Sequence, residues 1–252
     1  MRAMPVKMSL NSRSGATRPI TSPCIRGRRC RRFAEHARPN GWSLSFRTTL
    51  DYMIMNSTVW TIGHSTRPLK TFLALLEHYR IEAVADVRRF PGSRRQPQYT
   101  QAPLGSALAE DGIAYHWIAA LGGRRRPRPD SPNTAWRNVQ FRGYADYIAS
   151  KEFQEGLHEL LEVAGRLRTT VMCAEAVWWR CHRALIADVL CVRGIKVVHI
   201  IDETRAVMHP YTSPARIFQG RLSYVPTKGK PLAQERELAS KQRSNSPAKL
   251  GE

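Results

Sequence analysis

Thr169–Leu190, "TTVMCAEAVWWRCHRALIADVL", holds two of the chain's five cysteines, together with a glutamate, a histidine and two arginines. "TTVMC" is β-branched and apolar, which suits a buried strand. In the following "CHRALIADVLCVRG", Leu185, Ile186, Val189 and Leu190 fall at helical spacing, and Gly194 supplies a stop. "IKVVHII" then reads as a second buried strand. Strand, loop, helix and strand make a βαβ unit, whose crossover is right-handed in nearly all sheets. Its corner therefore lies at the carboxyl end of a strand and the amino end of a helix, where α/β sheets bind ligands.

The same alternation extends upstream. "TVWTIG" predicts a first strand and "PLKTFLALLEHYR" a helix opened by proline. "IEAVADV" predicts a second strand, "PLGSALAEDG" a short helix ended by Gly112, and "IAYHWI" a third strand. A long loop precedes one helical stretch, "FRGYADYIASKEFQEGLHELLEVAGR". The expected fold is α/β: a mainly parallel five-stranded sheet with helices on both faces, its strand order left open.

Charge is unevenly spread along the 252 residues, which carry a formal net charge of +20. Residues 1–55 hold 11 basic and 2 acidic groups, and residues 226–252 hold 6 and 3. Residues 1–55 lack sustained periodicity and are rich in arginine, serine and proline, so they are expected to be a disordered basic extension. Met53 and Met55 stand just before the first strand and suggest a later translation start. Residues 56–225 are expected to form a single α/β domain, followed by a polar, disordered tail. A basic balance favours acidic partners such as nucleic acid or a phosphorylated small molecule. No apolar run reaches the roughly 20 residues of a membrane span, and no secretory signal is apparent. Five cysteines at unrelated spacings do not make a disulfide framework, so a cytoplasmic protein with reduced thiols is expected.

The carboxyl ends of the parallel strands carry most of the chain's chemistry. His64 and Ser65 end the first strand, Asp86 and Arg88 the second, and Cys173 and Glu175 the fourth. In a parallel sheet these ends share one edge. Each residue also has a plainer reading. His64 could cap a turn, Asp86 could pair with Arg88, and Cys173 could be an inert buried thiol. Glu175, just past a buried strand, calls for a partner such as Arg180, His182 or Arg183. Cys181, His182 and Arg183 open the helix, whose amino end attracts anions. A cysteine there, beside Arg180 and His182, should have thiolate character, the chemistry of a nucleophile or a soft metal ligand. Trp178 and Trp179 could stack on a base or pack over the sheet. Two basic loops, "RRFPGSRRQPQYT" and "GGRRRPRPDSPN", border the same edge.

Together "TIGHSTRPLKTFLALL", "ADVRRFPGS", "GIAYHWIAALGG", "VMCAEAVWWRCHRALIADVL" and "KVVHI" resemble the domain of unknown function family 488, over about residues 58–201. The resemblance implies an α/β domain whose signature positions correspond to His64, Ser65, Asp86, Arg88, Cys173, Glu175, Cys181, His182 and Arg183. It supplies no reaction and identifies no cofactor.

Three functions remain open on the sequence. The first is an enzyme acting on a phosphate-bearing or nucleic-acid substrate, a thiol- or carboxylate-assisted hydrolase or transferase. Arg88, Arg180 and Arg183 would hold the anion, with Ser65, Asp86 and His182 completing the binding site. Cys181 or Cys173 would attack, and Glu175 or His64 would move protons. The second is a metal site for zinc or iron with Cys173, Cys181, His182 and His64 as ligands, ranked lower because Cys-x7-Cys-His is not a closed zinc signature; no metal is assigned. The third is a non-catalytic DNA- or RNA-binding protein that uses Arg124, Arg125 and Arg126.

Overall fold

The computed structural model describes residues 57–92 and 94–226. The basic extension and the polar tail from residue 227 lie outside the described residues. Five parallel strands form the sheet: β1 (Thr58–Gly63), β2 (Ala83–Asp86), β3 (Ala114–Trp117), β4 (Thr169–Cys173) and β5 (Lys196–Ile200). A sixth, β6 (Ala206–Met208), pairs antiparallel with β5, so the order is β3-β2-β4-β1-β5-β6. The five expected parallel strands are all present, and β6 extends them to a six-stranded mixed sheet. β6 is only three residues long and neither of its outer residues is buried, so it carries no hydrophobic alternation for the sequence to display. A separate hairpin, β7 (Arg216–Phe218) and β8 (Arg221–Ser223), turns through Gln219 and Gly220, both at positive φ.

Five α-helices cover the sheet among the described residues. On one face, α1 (Leu69–His78) buries Phe72, Leu75 and Leu76, and α2 (Gln101–Glu110) buries Leu104 and Leu108. These pack with Ile62, Val84 and Met172 of the strands. On the other, α4 (Lys151–Ala164) and α5 (Arg183–Val192) pack with Val59, Ala85, Val171 and Val197. The expected single helix before β4 is two. Its first part, α3 (Val139–Tyr147), is capped by Asn138, whose Oδ1 accepts from Gln140 and Phe141 amides. Ser150 caps α4 by accepting from the Phe153 amide at 3.2 Å, and so starts a new helix inside a continuous periodic pattern.

Strand order explains where a cleft opens. The chain steps from β1 to β2 to β3 toward one edge, then returns through β4 to β5 beyond β1. Right-handed crossovers running in opposite directions place their helices on opposite faces. β1 and β4 are neighbours whose onward connections diverge, and a crevice forms at their carboxyl ends. Register aligns Gly63 with Cys173 and Asp86 with Met172. Backbone bonds continue past the strands, from His64 N to Cys173 O at 3.0 Å and from Val87 N to Met172 O at 3.0 Å. His64, Cys173 and Arg88 are thereby brought to one rim.

Candidate functional site

The crevice is a cavity of about 330 Å³ at this rim. Its lining includes His64, Arg88, Cys173, Glu175, Arg180, Cys181 and His182, seven of the ten residues singled out in the sequence. Ser65, Asp86 and Arg183 are absent from that lining. Ser65 sits at φ 49°, and its amide ties β1 to the Ala174 carbonyl at 2.9 Å. Asp86 and Arg183 are buried behind the wall and hold other residues in place.

Asp86 is fully buried and grips Arg88. Its Oδ1 accepts from the Arg88 amide at 3.0 Å and from Nε at 2.9 Å, and its Oδ2 accepts from Nη2 at 2.5 Å. The Tyr115 hydroxyl donates to the same Oδ2 at 2.7 Å. Arg88 Nη1 donates to the Tyr99 carbonyl at 2.7 Å and to His64 Nε2 at 3.2 Å. Since a guanidinium only donates, His64 Nε2 must accept, leaving the ring proton on Nδ1 to bond the Ser65 carbonyl at 2.9 Å. Burial pushes the His64 ring down to about 4; the Arg88 charge acts in the same direction, against the Ser65 carbonyl that favours the protonated form. His64 is therefore a neutral support for Arg88, stacked on Tyr99 at 4.1 Å.

Across the cavity two sulfurs meet one imidazole. His182 Nδ1 lies 3.6 Å from Cys181 Sγ and 4.0 Å from Cys173 Sγ, and the three donor atoms all fall within 4.8 Å of one another. His182 Nε2 is 3.1 Å from the Val87 carbonyl and donates to it, which turns Nδ1 toward the sulfurs. Arg183 Nε points at Cys181 Sγ from 3.5 Å. Burial pushes the Cys181 thiol up, but the hydrogen bond from Cys173 and the fields of His182 and Arg183 outweigh it, and the net direction is well down. Cys173 moves the other way, because its proton bridges to Cys181 and burial disfavours a second charge. The two thiols are thus pushed in opposite directions, Cys181 toward the thiolate and Cys173 toward the thiol. Cys191 is remote from this pair, and burial pushes it up to about 12.

Two glycines permit the close approach. A Cβ on Gly63 would sit 1.9 Å from the Glu175 carbonyl oxygen, and one on Gly123 would sit 2.8 Å from His182 Nδ1. Cys181 precedes α5 rather than lying inside it, since the helix starts at Arg183 and His182 is its N-cap. Arg183 is 1% exposed and binds the Glu175 carbonyl through Nη2 at 2.5 Å, so it shapes the loop and meets no solvent. Arg183, expected from the sequence among the substrate-binding residues, thus lies behind the cavity wall. The Glu175 side chain is exposed, so water satisfies it, and no ion pair reaches it among the described residues. The partner expected for it is its carbonyl's, not its carboxylate's.

Gln140 and Tyr144 carried no functional signal in the sequence, whereas Arg89 and Arg124 belong to the two basic loops expected at this edge. Arg89, Arg124, Gln140 and Tyr144 also line the cavity. Arg124 holds φ 60°, an uncommon conformation for a residue with a Cβ. Arg125 instead lies over the Tyr147 ring at 3.6 Å and donates to the Gly122 carbonyl at 3.0 Å, so it is used within the fold. Trp178 stacks on His199 at 4.3 Å, the packing outcome.

No helix among the described residues is long and apolar enough to cross a membrane. Residues 68–190 match the family model described as "Domain of unknown function DUF488". That range is narrower than the resemblance read from the sequence; it opens after the "TIGHS" end of β1 and closes before β5. No curated protein and no solved structure matches the chain.

Proposed function

We propose that this chain, which belongs to the family described as domain of unknown function DUF488, is an enzyme acting on a phosphate-bearing substrate in the rim cavity. The carrying observation is the composition of one wall against the other. Arg88, Arg89, Arg124 and Arg180 line the same 330 Å³ space as the Cys173–Cys181–His182 cluster and Glu175. Arginine is suited to phosphate because its planar fork donates two parallel hydrogen bonds. Arg88 is held in a fixed plane, since Asp86, Tyr99 and His64 take four of its five donor protons; it offers one proton to an anion, and two-pronged contacts fall to the other arginines. Rigid donors cost little to order when substrate arrives.

In this reading the arginines hold the anion, and the electron-rich Cys181 sulfur marks the reacting centre. Glu175 moves the proton, because it is the carboxylate that lines the cavity. His64 takes a supporting role in this reading, because Nε2 accepts from Arg88 and burial lowers its basicity. The volume suits a nucleotide or smaller phosphorylated compound, or a nucleic-acid end, and not the side of a duplex. The binding-protein alternative loses support because Arg125 is occupied internally.

Calorimetric binding of pyrophosphate and nucleoside monophosphates, followed by turnover assays on whichever binds, tests this. Arg124→Ala and Arg180→Ala should each weaken binding by about 10- to 100-fold, the worth of a charge-assisted hydrogen bond. Glu175→Gln and Cys181→Ser should retain binding and lose turnover. Equal binding by wild type and the double arginine variant would refute the proposal.

A further inference from the structure

We infer that Cys173, Cys181 and His182 form a zinc site whose fourth position faces the cavity. Zinc binds sulfur at about 2.3 Å and imidazole nitrogen at about 2.0–2.1 Å. Tetrahedral angles then set the sulfur–nitrogen edge at about 3.6 Å and the sulfur–sulfur edge at about 3.8 Å. His182 Nδ1 is 3.6 Å from one sulfur and 4.0 Å from the other, and no pair in the cluster exceeds 4.8 Å. The two sulfur–nitrogen edges lie near those of a tetrahedral face, and the sulfur–sulfur edge is at most 4.8 Å.

The surroundings are those a metal site needs. A ligating histidine usually donates its second ring N–H to a fixed acceptor, which sets the tautomer and aims the free lone pair. His182 does this through Nε2 to the Val87 carbonyl at 3.1 Å. The Arg183 Nε–H, 3.5 Å from Cys181 Sγ, stabilises charge on the sulfur from the side away from the cavity. Gly123 leaves Nδ1 uncovered where any side chain would collide with the ring. Two thiolates and one imidazole are soft and borderline donors that select zinc over magnesium or calcium. Three protein ligands with an open position characterise catalytic rather than structural zinc. Sequence spacing hides the site because Cys181 and His182 are adjacent and Cys173 reaches them from the end of a strand, across a loop.

This deepens the proposed function and rests on it for the chemistry, though metal binding stands independently. Zinc in this position would supply a bound water of pKa about 7. Glu175 would take a proton from that water as its oxygen bonds to phosphorus. The bond from phosphorus to the leaving oxygen breaks, and Glu175 returns the proton to that oxygen. Cys181 would then be a ligand and not the attacking atom.

The test uses the full chain carrying Cys24→Ser and Cys30→Ser, because those thiols lie outside the described residues and could bind metal on their own. Apoprotein prepared with chelator and reductant is titrated with zinc against a chromogenic chelator, and separately with cobalt(II). One equivalent of zinc and a tetrahedral cobalt spectrum with thiolate charge-transfer bands are expected. Cys173→Ser, Cys181→Ser and His182→Asn should each lose more affinity than the about 10- to 100-fold typical of an outer-sphere change. Cys191→Ser should lose none. Melting curves separate a lost site from a lost fold, and Cys181→Asp offers a second variant that keeps an anionic ligand. An octahedral spectrum, or zinc bound equally by Cys181→Ser, overturns the inference. If zinc fails to bind while Arg180→Ala still weakens phosphate binding, the metal falls and the enzyme reading survives. If zinc binds and no phosphate compound does, the metal stands and the enzyme reading falls.

Discussion

His64 is held in its neutral form by the residue it supports. Nε2 accepts from Arg88 and Nδ1 donates to Ser65, so a second ring proton has nowhere to go without breaking the Arg88 contact. Asp86, Arg88 and Arg183 are the charged groups around it, and burial leads the fall from 6.5 to about 4. The sign follows directly. Below pH 6.5 the unfolded chain takes up a proton at His64 that the folded chain refuses until about pH 4. The stabilisation that His64 gives is therefore complete above pH 6.5 and shrinks as pH falls toward 4. Denaturant unfolding of wild type and His64→Asn across this window should show the difference between them narrowing with acidification. A difference that stays constant or widens would mean the ring is already charged. Sequence could bring His64, Asp86 and Arg88 to the rim, because strand ends are legible from where apolar runs stop. It could not separate wall from buttress. Asp86 and Arg88 share a strand parity, and only the fold-back of Arg88 onto Oδ1 decides that one lines the cavity and the other does not.

At the scale of elements, a buried polar line joins the outer strands to the sulfur cluster. Asp188 of α5 accepts from His209 Nε2 at 2.9 Å, the Thr212 amide at 2.9 Å and hydroxyl at 2.5 Å, and the Tyr224 hydroxyl at 2.8 Å. His209 meets His199 of β5 at 2.9 Å, and His199 meets Thr61 of β1 at 2.7 Å. Thr61 accepts from Arg183 Nη1 at 3.3 Å, and Arg183 reaches Cys181. Buried polar groups are tolerable only when each is paired, and here each group has its partner in a neighbouring element. Thr61→Val keeps shape but strips both His199 and Arg183 of a partner. It should cost about 1–3 kcal/mol for the buried groups left unsatisfied, read by urea unfolding, whereas Thr58→Val at the half-buried start of β1 should cost little. Equal costs at both positions would show that Thr61 contributes only its volume. Apart from Arg183, this line has no signal in the sequence. Asp188 looks like the polar side of an amphipathic helix until eight consecutive residues, Arg183–Leu190, turn out to be buried. His209 follows a three-residue strand with no sequence signature.

Over the whole molecule, strand order does what no single motif could announce. β4 lies between β1 and β2, so "TIGHS", "DVR" and "CAE" end side by side although they are separated by up to about a hundred residues. Alternation of strands and helices was readable because each element buries a face of its own. The order was not, because every right-handed crossover looks the same in sequence whichever neighbour it reaches. The consequence is a cavity whose walls come from segments distant in the chain, so a ligand bound there must couple their stabilities. A ligand that binds only the folded state at 100 times its Kd adds about 2.7 kcal/mol to unfolding. The phosphate compound identified by calorimetry should therefore raise the melting temperature of wild type and leave Arg124→Ala/Arg180→Ala unmoved at the same concentration. Raising salt should erase part of the wild-type shift, because the contacts are ionic and the rim is open to solvent. A shift of the same size in the double variant would place the anion on the general positive surface of the +20 chain and not between these walls.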